Sequence, residues 1–278
     1  MATDTIWLST SLFCNKAQWG TLFFDAIEPF ITVEKKNQLK DYTIKVNYLG
    51  GENLQFSLLT DKKSAPLLAK KTNDYFTQYF AISISSGPTI KLPVDGMFLP
   101  FKNCIRYGLY PPQLPIDNEE NNYSLSIVFS QIFLDALKNE EVDDETILTF
   151  AFYLQVGLIY SISLKHPQFR EGLKSTFKKN PLNEDLDITM IRSKFEDNKV
   201  GLLEIVNDIN NSNINLPNWV VTWLQLCDIE VSQTDNDKSP QSIYNNIIMS
   251  VYNHLGINYT MSNMLSYFIE HTLFYSTN

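Results

Sequence analysis

Arginine is scarce in this chain. Arg106, Arg170 and Arg192 are the only arginines among 22 basic residues; the others are lysines. A site that clamps carboxylates or phosphates bidentately draws on several guanidinium groups, and few are available here. Cysteine and histidine are as sparse. Cys14, Cys104 and Cys227 lie far apart without CxxC spacing, which argues against a disulfide framework and a zinc site and leaves each as a small buried hydrophobe. His166, His254 and His271 are too few for a multi-histidine metal cluster unless carboxylates help. No metal and no cofactor is expected. The glycine-rich phosphate loops GxGxxG and GxxxxGK are missing, as is the GxSxG nucleophile elbow. Positive charge is in deficit too: the net charge is −9, so nucleic acid is a poor partner. No apolar run reads as long enough to cross a bilayer. The start, MATDTIWLSTSLF, has an acidic residue and no basic region, unlike a signal peptide. The expectation is a cytoplasmic protein with no membrane partner.

Apolar residues make up 44% of the 278 positions, enough for a real core. Up to about residue 115 strand signals dominate. Thr5 to Phe13 is rich in β-branched and aromatic residues. Asp41 to Tyr48 alternates with a period of two, Leu49-Gly50-Gly51-Glu52-Asn53 reads as a hairpin turn, and Leu54 to Leu59 as its partner strand. Tyr79 to Ser85 with Ile90 to Val94, and Cys104 to Tyr110, read as further strands. Helices are predicted near 16–30 and 64–76. After Pro115 a polar stretch precedes a helical pattern, with helices near 123–138, 143–164, 167–178, 188–209, 218–231, 240–255 and 260–275. Ser239-Pro240 has the form of an N-cap followed by proline at the first helical position. The predicted class is α+β: a mixed, mainly antiparallel sheet in the N-terminal half packed with a helical C-terminal half, within one domain spanning 1–278 (1–115 sheet-rich, 116–278 helical).

Four stretches, in order, resemble a known family. Trp7 to Phe13 followed by Ala17 to Phe30 resembles its opening strand and helix. Tyr42 to Tyr48, a turn, and Asn53 to Leu58 resemble its "wfFiRY–gpHlRLRl" hairpin. Tyr110-Pro111-Pro112-Gln113 before Ser124 to Leu137 is similar to its "YxPE" segment, and Met249 to Gly256 to its "HMxxNRLG" motif. The family is that of the lantibiotic-dehydratase C-terminal, or thiopeptide-type bacteriocin biosynthesis, proteins in standalone form. The resemblance implies work on a leader-bearing, ribosomally made precursor peptide, alongside other enzymes of the same pathway. One branch of the family eliminates glutamate from glutamylated serine or threonine. The other, the thiopeptide pyridine synthases, joins two dehydroalanines of an azole-containing peptide in a formal [4+2] cycloaddition. Water and the leader peptide are then lost, leaving a pyridine core and a macrocycle.

Departures from the motifs separate the branches. On this matching the hairpin arginines become Asn47, Gln55 and Ser57, the hairpin histidine becomes Asn53, the last motif's histidine becomes Met249 and its arginine His254, and the "YxPE" glutamate becomes Gln113. Each missing charge-assisted hydrogen bond costs about 1.5–3 kcal/mol, so a glutamyl-binding site stripped of several retains little. The resemblance therefore points to cycloaddition, with elimination or a noncatalytic peptide-binding role as alternatives. Two neutral dehydroalanines need positioning and hydrogen-bond donors rather than an ion clamp. Tyr252 or His254 is the candidate acid–base group and Tyr110 a candidate at the cleft border. Gln55, Ser57, Asn47, Asn253 and Arg106 are candidate substrate contacts. The bland alternatives are a core tyrosine, a helix-face histidine and a solvated sheet face. Tyr252, Asn253 and His254 lie about 100° apart on a helix and cannot all face one cleft. Lysines 35, 36 and 40, or 62, 63, 70 and 71, offer local positive charge for an acidic leader.

Overall fold

The computed structural model describes residues 4–83, 101–108, 121–138, 142–179, 188–211, 216–233 and 239–275. They fall into two compact units, Met1–Asp143 and Asp144–Asn278.

The first unit is built on an antiparallel sheet of β1 (Thr5–Phe13), β2 (Leu39–Asn47), β3 (Asn53–Asp61) and β4 (Cys104–Tyr107), in the order β2-β3-β1-β4. The predicted hairpin is β2–β3. Its turn uses Gly50 at φ 76° and Gly51 at φ 125°, which a residue with a Cβ adopts only at a cost. Even-numbered residues of β3 bury Leu54, Phe56 and Leu58 beside Ile44 and Val46 of β2. Helical segments supply aromatic partners for this face. An irregular run follows β1: a 3-10 turn Lys16–Gln18, an α turn α1 (Trp19–Thr21), a π-helical stretch Leu22–Ile27 and α2 (Glu28–Glu34). Phe30 of α2 meets Phe56 at 6.2 Å, and Phe76 of α3 (Ala65–Ser83) meets Phe56 at 5.9 Å. The helix α4 (Asn121–Ala136) covers the outer edge of β2, where Ser130 Oγ accepts the Ile44 N–H at 2.9 Å. An edge donor is thereby satisfied within the unit.

One strand expectation is overturned. The sequence reading makes Tyr79 to Ser85 extended, but α3 runs on through Ser83. Leu68, Thr72, Phe76 and then Tyr79 and Phe80 are buried, a helical spacing that outweighs the short local alternation around Ile82, itself exposed. The expected partner strand, 90–94, lies outside the described residues, and β4 ends at Tyr107, before Gly108 at φ 64°.

The second unit comprises α5 (Asp144–Lys165), α6 (Phe169–Lys179), α7 (Ile188–Asn210), α8 (Asn218–Gln233), α9 (Pro240–Leu255) and α10 (Tyr259–Glu270), followed by a π turn, His271–Tyr275. The α+β class is as expected. By length and composition α5 qualifies as a bilayer-crossing helix, contrary to the sequence reading, yet it is the central helix, packed by α6, α7, α8, α9 and α10. Within its apolar stretch 67% is buried, as befits the central helix of a bundle. Its Gly157 lets Trp223 of α8 approach, and Trp223 Nε1 donates to the Leu154 carbonyl at 2.8 Å. At α9 the N-cap is Ser239, accepting from the Ser242 N–H, and the helix stops at Gly256 at φ 64°.

Candidate functional site

Strand alternation gives the sheet a second face, and its residues differ in kind from the aromatic one. The register places Lys45 (β2), Gln55 (β3), Ser11 (β1) and Arg106 (β4) side by side in one row across all four strands. The next row along holds Thr43, Ser57 and Ser9, with Ser57 Oγ donating to Ser9 Oγ at 3.1 Å. On the other side lie Asn47, Asn53, Phe13 and Cys104. Ser11, Ser57 and Asn53 are buried, Lys45 and Gln55 half-buried, and Arg106 exposed. Polar side chains so arranged offer donors and acceptors at strand spacing, suited to a peptide backbone.

Two side chains of this face hold its shape. Asn47 Oδ1 accepts the Leu49 N–H at 2.9 Å, and Asn53 Nδ2 donates to the carbonyls of Leu49 (3.2 Å) and Gly51 (2.8 Å), bracing the turn. Asn53 is fully buried and among the described residues its Oδ1 has no hydrogen-bond partner, an uncommon arrangement for an interior oxygen. At the β4 edge the Arg106 guanidinium lies 4.9 Å over the Phe101 ring, which meets Phe13 edge-on at 4.9 Å. That cation–π stack keeps Arg106 on this face. Burial pushes the Lys45 ammonium pKa down.

Four predicted contacts, Asn47, Gln55, Ser57 and Arg106, thus share one face. The uncharged character expected of it needs amendment, because Lys45 stands opposite Gln55 and Arg106 opposite Ser11. The two cations occupy the outer strands, three strand spacings or about 14 Å apart. Between them stand the uncharged Gln55 and Ser11. Lys45, Ser9 and Ser11 were missed by the sequence reading. Lys45 shares the parity of Gln55 across a Gly-Gly turn and was readable by period-two counting. Ser9 and Ser11 arrive through pairing between residues more than 40 positions apart, which no local pattern reveals.

The remaining candidates belong to α9 or lie outside the described residues, as Tyr110 does. Tyr252 and His254 are buried and Asn253 is exposed, so the three do diverge around the helix. Tyr252 Oη donates to Gln155 Oε1 at 3.0 Å, and Gln155 Nε2 donates to Tyr244 Oη. Burial is the main force pushing the phenols of Tyr252 and Tyr244 well above their ordinary value, so both keep their protons and serve as hydrogen-bonding groups rather than bases. Of the lysine patches, Lys40 pairs with Asp61 and Lys71 with the buried Glu34. Among the described residues no group of three or more His, Cys, Asp and Glu side chains is placed to hold a metal ion.

No family model and no curated protein matches this sequence. Solved structures do match. The pyridine synthase TbtD from thiomuracin biosynthesis aligns over 96% of this chain and 97% of its own, with a TM-score of 0.64 and 14% identity. TsrL aligns over 97% and 94%, with a TM-score of 0.60 and 12% identity. The tRNA-dependent lantibiotic dehydratase MibB from Microbispora sp. 107891 aligns over 98% of this chain, TM-score 0.60, at 9% identity. The chain spans 28% of the length of MibB. This chain therefore has the fold shared by a thiopeptide pyridine synthase and a portion of a lantibiotic dehydratase, the fold that its four motifs implied.

Proposed function

We propose that this protein tailors a ribosomally made precursor peptide by a formal [4+2] cycloaddition between two dehydroalanines, followed by loss of water and of the leader peptide. The observation that carries the reading is the neutral centre of the polar sheet face. Gln55, Ser57 and Asn47 stand at the motif positions where the eliminating relatives have arginine, with Ser9 and Ser11 beside them. Such a surface accepts uncharged amides and discriminates weakly in favour of a carboxylate. The likeness to a pyridine synthase over nearly the whole of both chains supports reading residues 1–278 as one biosynthetic module.

In this reading one dehydroalanine is held as a 2-azadiene, the iminol tautomer of its amide, against the alkene of the other. Holding the reacting ends together removes much of the entropy cost of their meeting. Gln55, Ser57, Asn47 and Arg106 contact the peptide. His254 is the candidate for proton transfer, because imidazole exchanges protons near neutral pH. Tyr252 keeps its phenolic proton, which it donates to Gln155 Oε1, and so steadies α9 against α5. Glutamate elimination would need cations gathered at one point. Lys45 and Arg106, three strands apart, supply no such gathering.

The test is reconstitution. Purified protein, mixed with a dehydrated, azole-bearing precursor that still carries its leader, should yield a macrocycle and free leader by mass spectrometry without added cofactor. An unchanged precursor in the presence of folded protein removes the proposal. Release of glutamate from a glutamylated peptide would replace it with elimination.

A further inference from the structure

Lys45 is not part of any of the four motifs' functional positions, yet it stands on the polar face of β2, in the row that crosses all four strands. Its Cα partner is Gln55, and side chains so paired lie about 5 Å apart at Cβ. Thr43 and Asn47 flank it on the same strand and face. It is half-buried, where a charged hydrogen bond is stronger than in open water. Arg106, the other cation of the row, is exposed and committed to the Phe101 ring. Lys45 is therefore the cation placed next to the amide and hydroxyl groups proposed to hold the peptide.

We propose that Lys45 is a catalytic residue of the cycloaddition, its ammonium donating a charged hydrogen bond to the oxygen of the dehydroalanine amide that becomes the azadiene. The inference rests on the cycloaddition reading above. In the tautomerisation the amide N–H proton ends on that oxygen, so no atom is gained or lost and Lys45 keeps its own protons. Negative charge builds on the oxygen as the N–H bond loosens. A fixed donor aimed there stabilises the charge without reorganising. An ammonium has three donors and no acceptor, so one can serve substrate while another holds a protein group.

The experiment compares wild type with Lys45→Met, Lys45→Arg and the control Lys138→Met on the precursor used for reconstitution. Lys138 is exposed and pairs with Glu28. Lys45→Met should lower kcat by about 10²–10³-fold, the loss expected for one oxyanion donor. Peptide Kd, from fluorescence anisotropy, should stay within about threefold, because the interaction strengthens only in the transition state. Lys45→Arg should recover at least about tenfold of the loss through its retained charge. The far-UV circular dichroism of Lys45→Met should match wild type at the assay temperature, which separates a chemical defect from misfolding. If wild type turns over and Lys45→Met does so within about threefold, or if the variant loses affinity without losing kcat, Lys45 has no such role and the cycloaddition reading stands. If wild type leaves the precursor unchanged, that reading falls and takes the role of Lys45 with it.

Discussion

Replacing Tyr252 by Phe separates the structural from the chemical role of this side chain. The Tyr252 hydroxyl donates to Gln155 Oε1 at 3.0 Å and is also engaged by the side chain of Ser262. Gln155 is 1% exposed, and its amide nitrogen is committed to Tyr244. Phenylalanine fills the same volume, so no cavity term enters. The substitution removes a buried hydrogen bond, and Oε1 is left without a partner and out of reach of water. An orphaned buried acceptor costs about 1–3 kcal/mol, and because the interaction with Ser262 disappears with the same hydroxyl we expect about 2 kcal/mol. Urea unfolding followed by far-UV circular dichroism measures it, with the m value checked for constancy. In a Gln155→Leu background the acceptor is gone already, and the Tyr252→Phe cost should shrink by about 0.5–3 kcal/mol, the usual coupling of directly bonded groups. Equal costs in the two backgrounds, or a loss under about 0.5 kcal/mol in the first, would refute the account of the network. Turnover of Tyr252→Phe, assayed well below its midpoint, then reports chemistry alone.

Two other predictions concern stability. A Cβ at Gly157 would sit 3.0 Å from Trp223 Cδ1, 3.1 Å from its Nε1 and 3.2 Å from Leu224 Cδ2. The indole is buried and tied to the Leu154 carbonyl, so it cannot swing away. Overpacking of about 1–3 kcal/mol should exceed the gain of about 1 kcal/mol in helix propensity. Nothing lies within 4 Å of the same atom built on Gly201 of α7, so Gly201→Ala should stabilise by about 1 kcal/mol; shifts of the same sign in both variants would contradict the packing argument. For His271 the folded-state pKa is lowered from 6.5, chiefly by burial. Above pH 6.5 both states carry neutral imidazole; as pH falls below it the unfolded chain takes the proton first, so stability is lost. Unfolding free energies between about pH 7 and 5 should fall less steeply in His271→Gln than in wild type.

Much of the fold could be read from sequence because its signals are local. The hairpin announced itself through Gly50-Gly51 between two alternating runs, and α9 through Ser239-Pro240 at its start. The run after Phe76 misled, since four residues of alternation around Ile82 carry less information than the longer helical stripe from Leu68 to Phe80. The first compact unit closes at Asp143, beyond the composition change near residue 115, because α4 packs on the β2 edge through Ser130. Helical periodicity does not say which sheet a helix covers. The site was legible in part for the same reason. Gln55, Ser57 and Asn47 were visible within one hairpin, whereas the full row needed β1 and β4, and their pairing with each other and with β3 is a property of the folded chain. Tyr252 looked equally fit for chemistry or core until Gln155, 97 positions away, supplied its partner.

The parity of the strands shows how a fold can persist at 9–14% identity while the residues of one sheet face are free to vary. Ile44, Val46, Leu54, Phe56 and Leu58 share one side of the sheet, where Phe56 meets Phe30 and Phe76. Altering any of them opens a cavity or strains the aromatic packing, at about 1–5 kcal/mol each. Lys45, Asn47, Gln55 and Ser57 alternate with them and stand on the opposite face. Exchanging a guanidinium for an amide at such a position changes what the face binds and leaves the packing of the sheet alone. Asn47 and Asn53 narrow this freedom, because their side chains also brace the Gly50-Gly51 turn. The positions on this face most open to a change of side chain are therefore Lys45, Gln55 and Ser57, away from that turn.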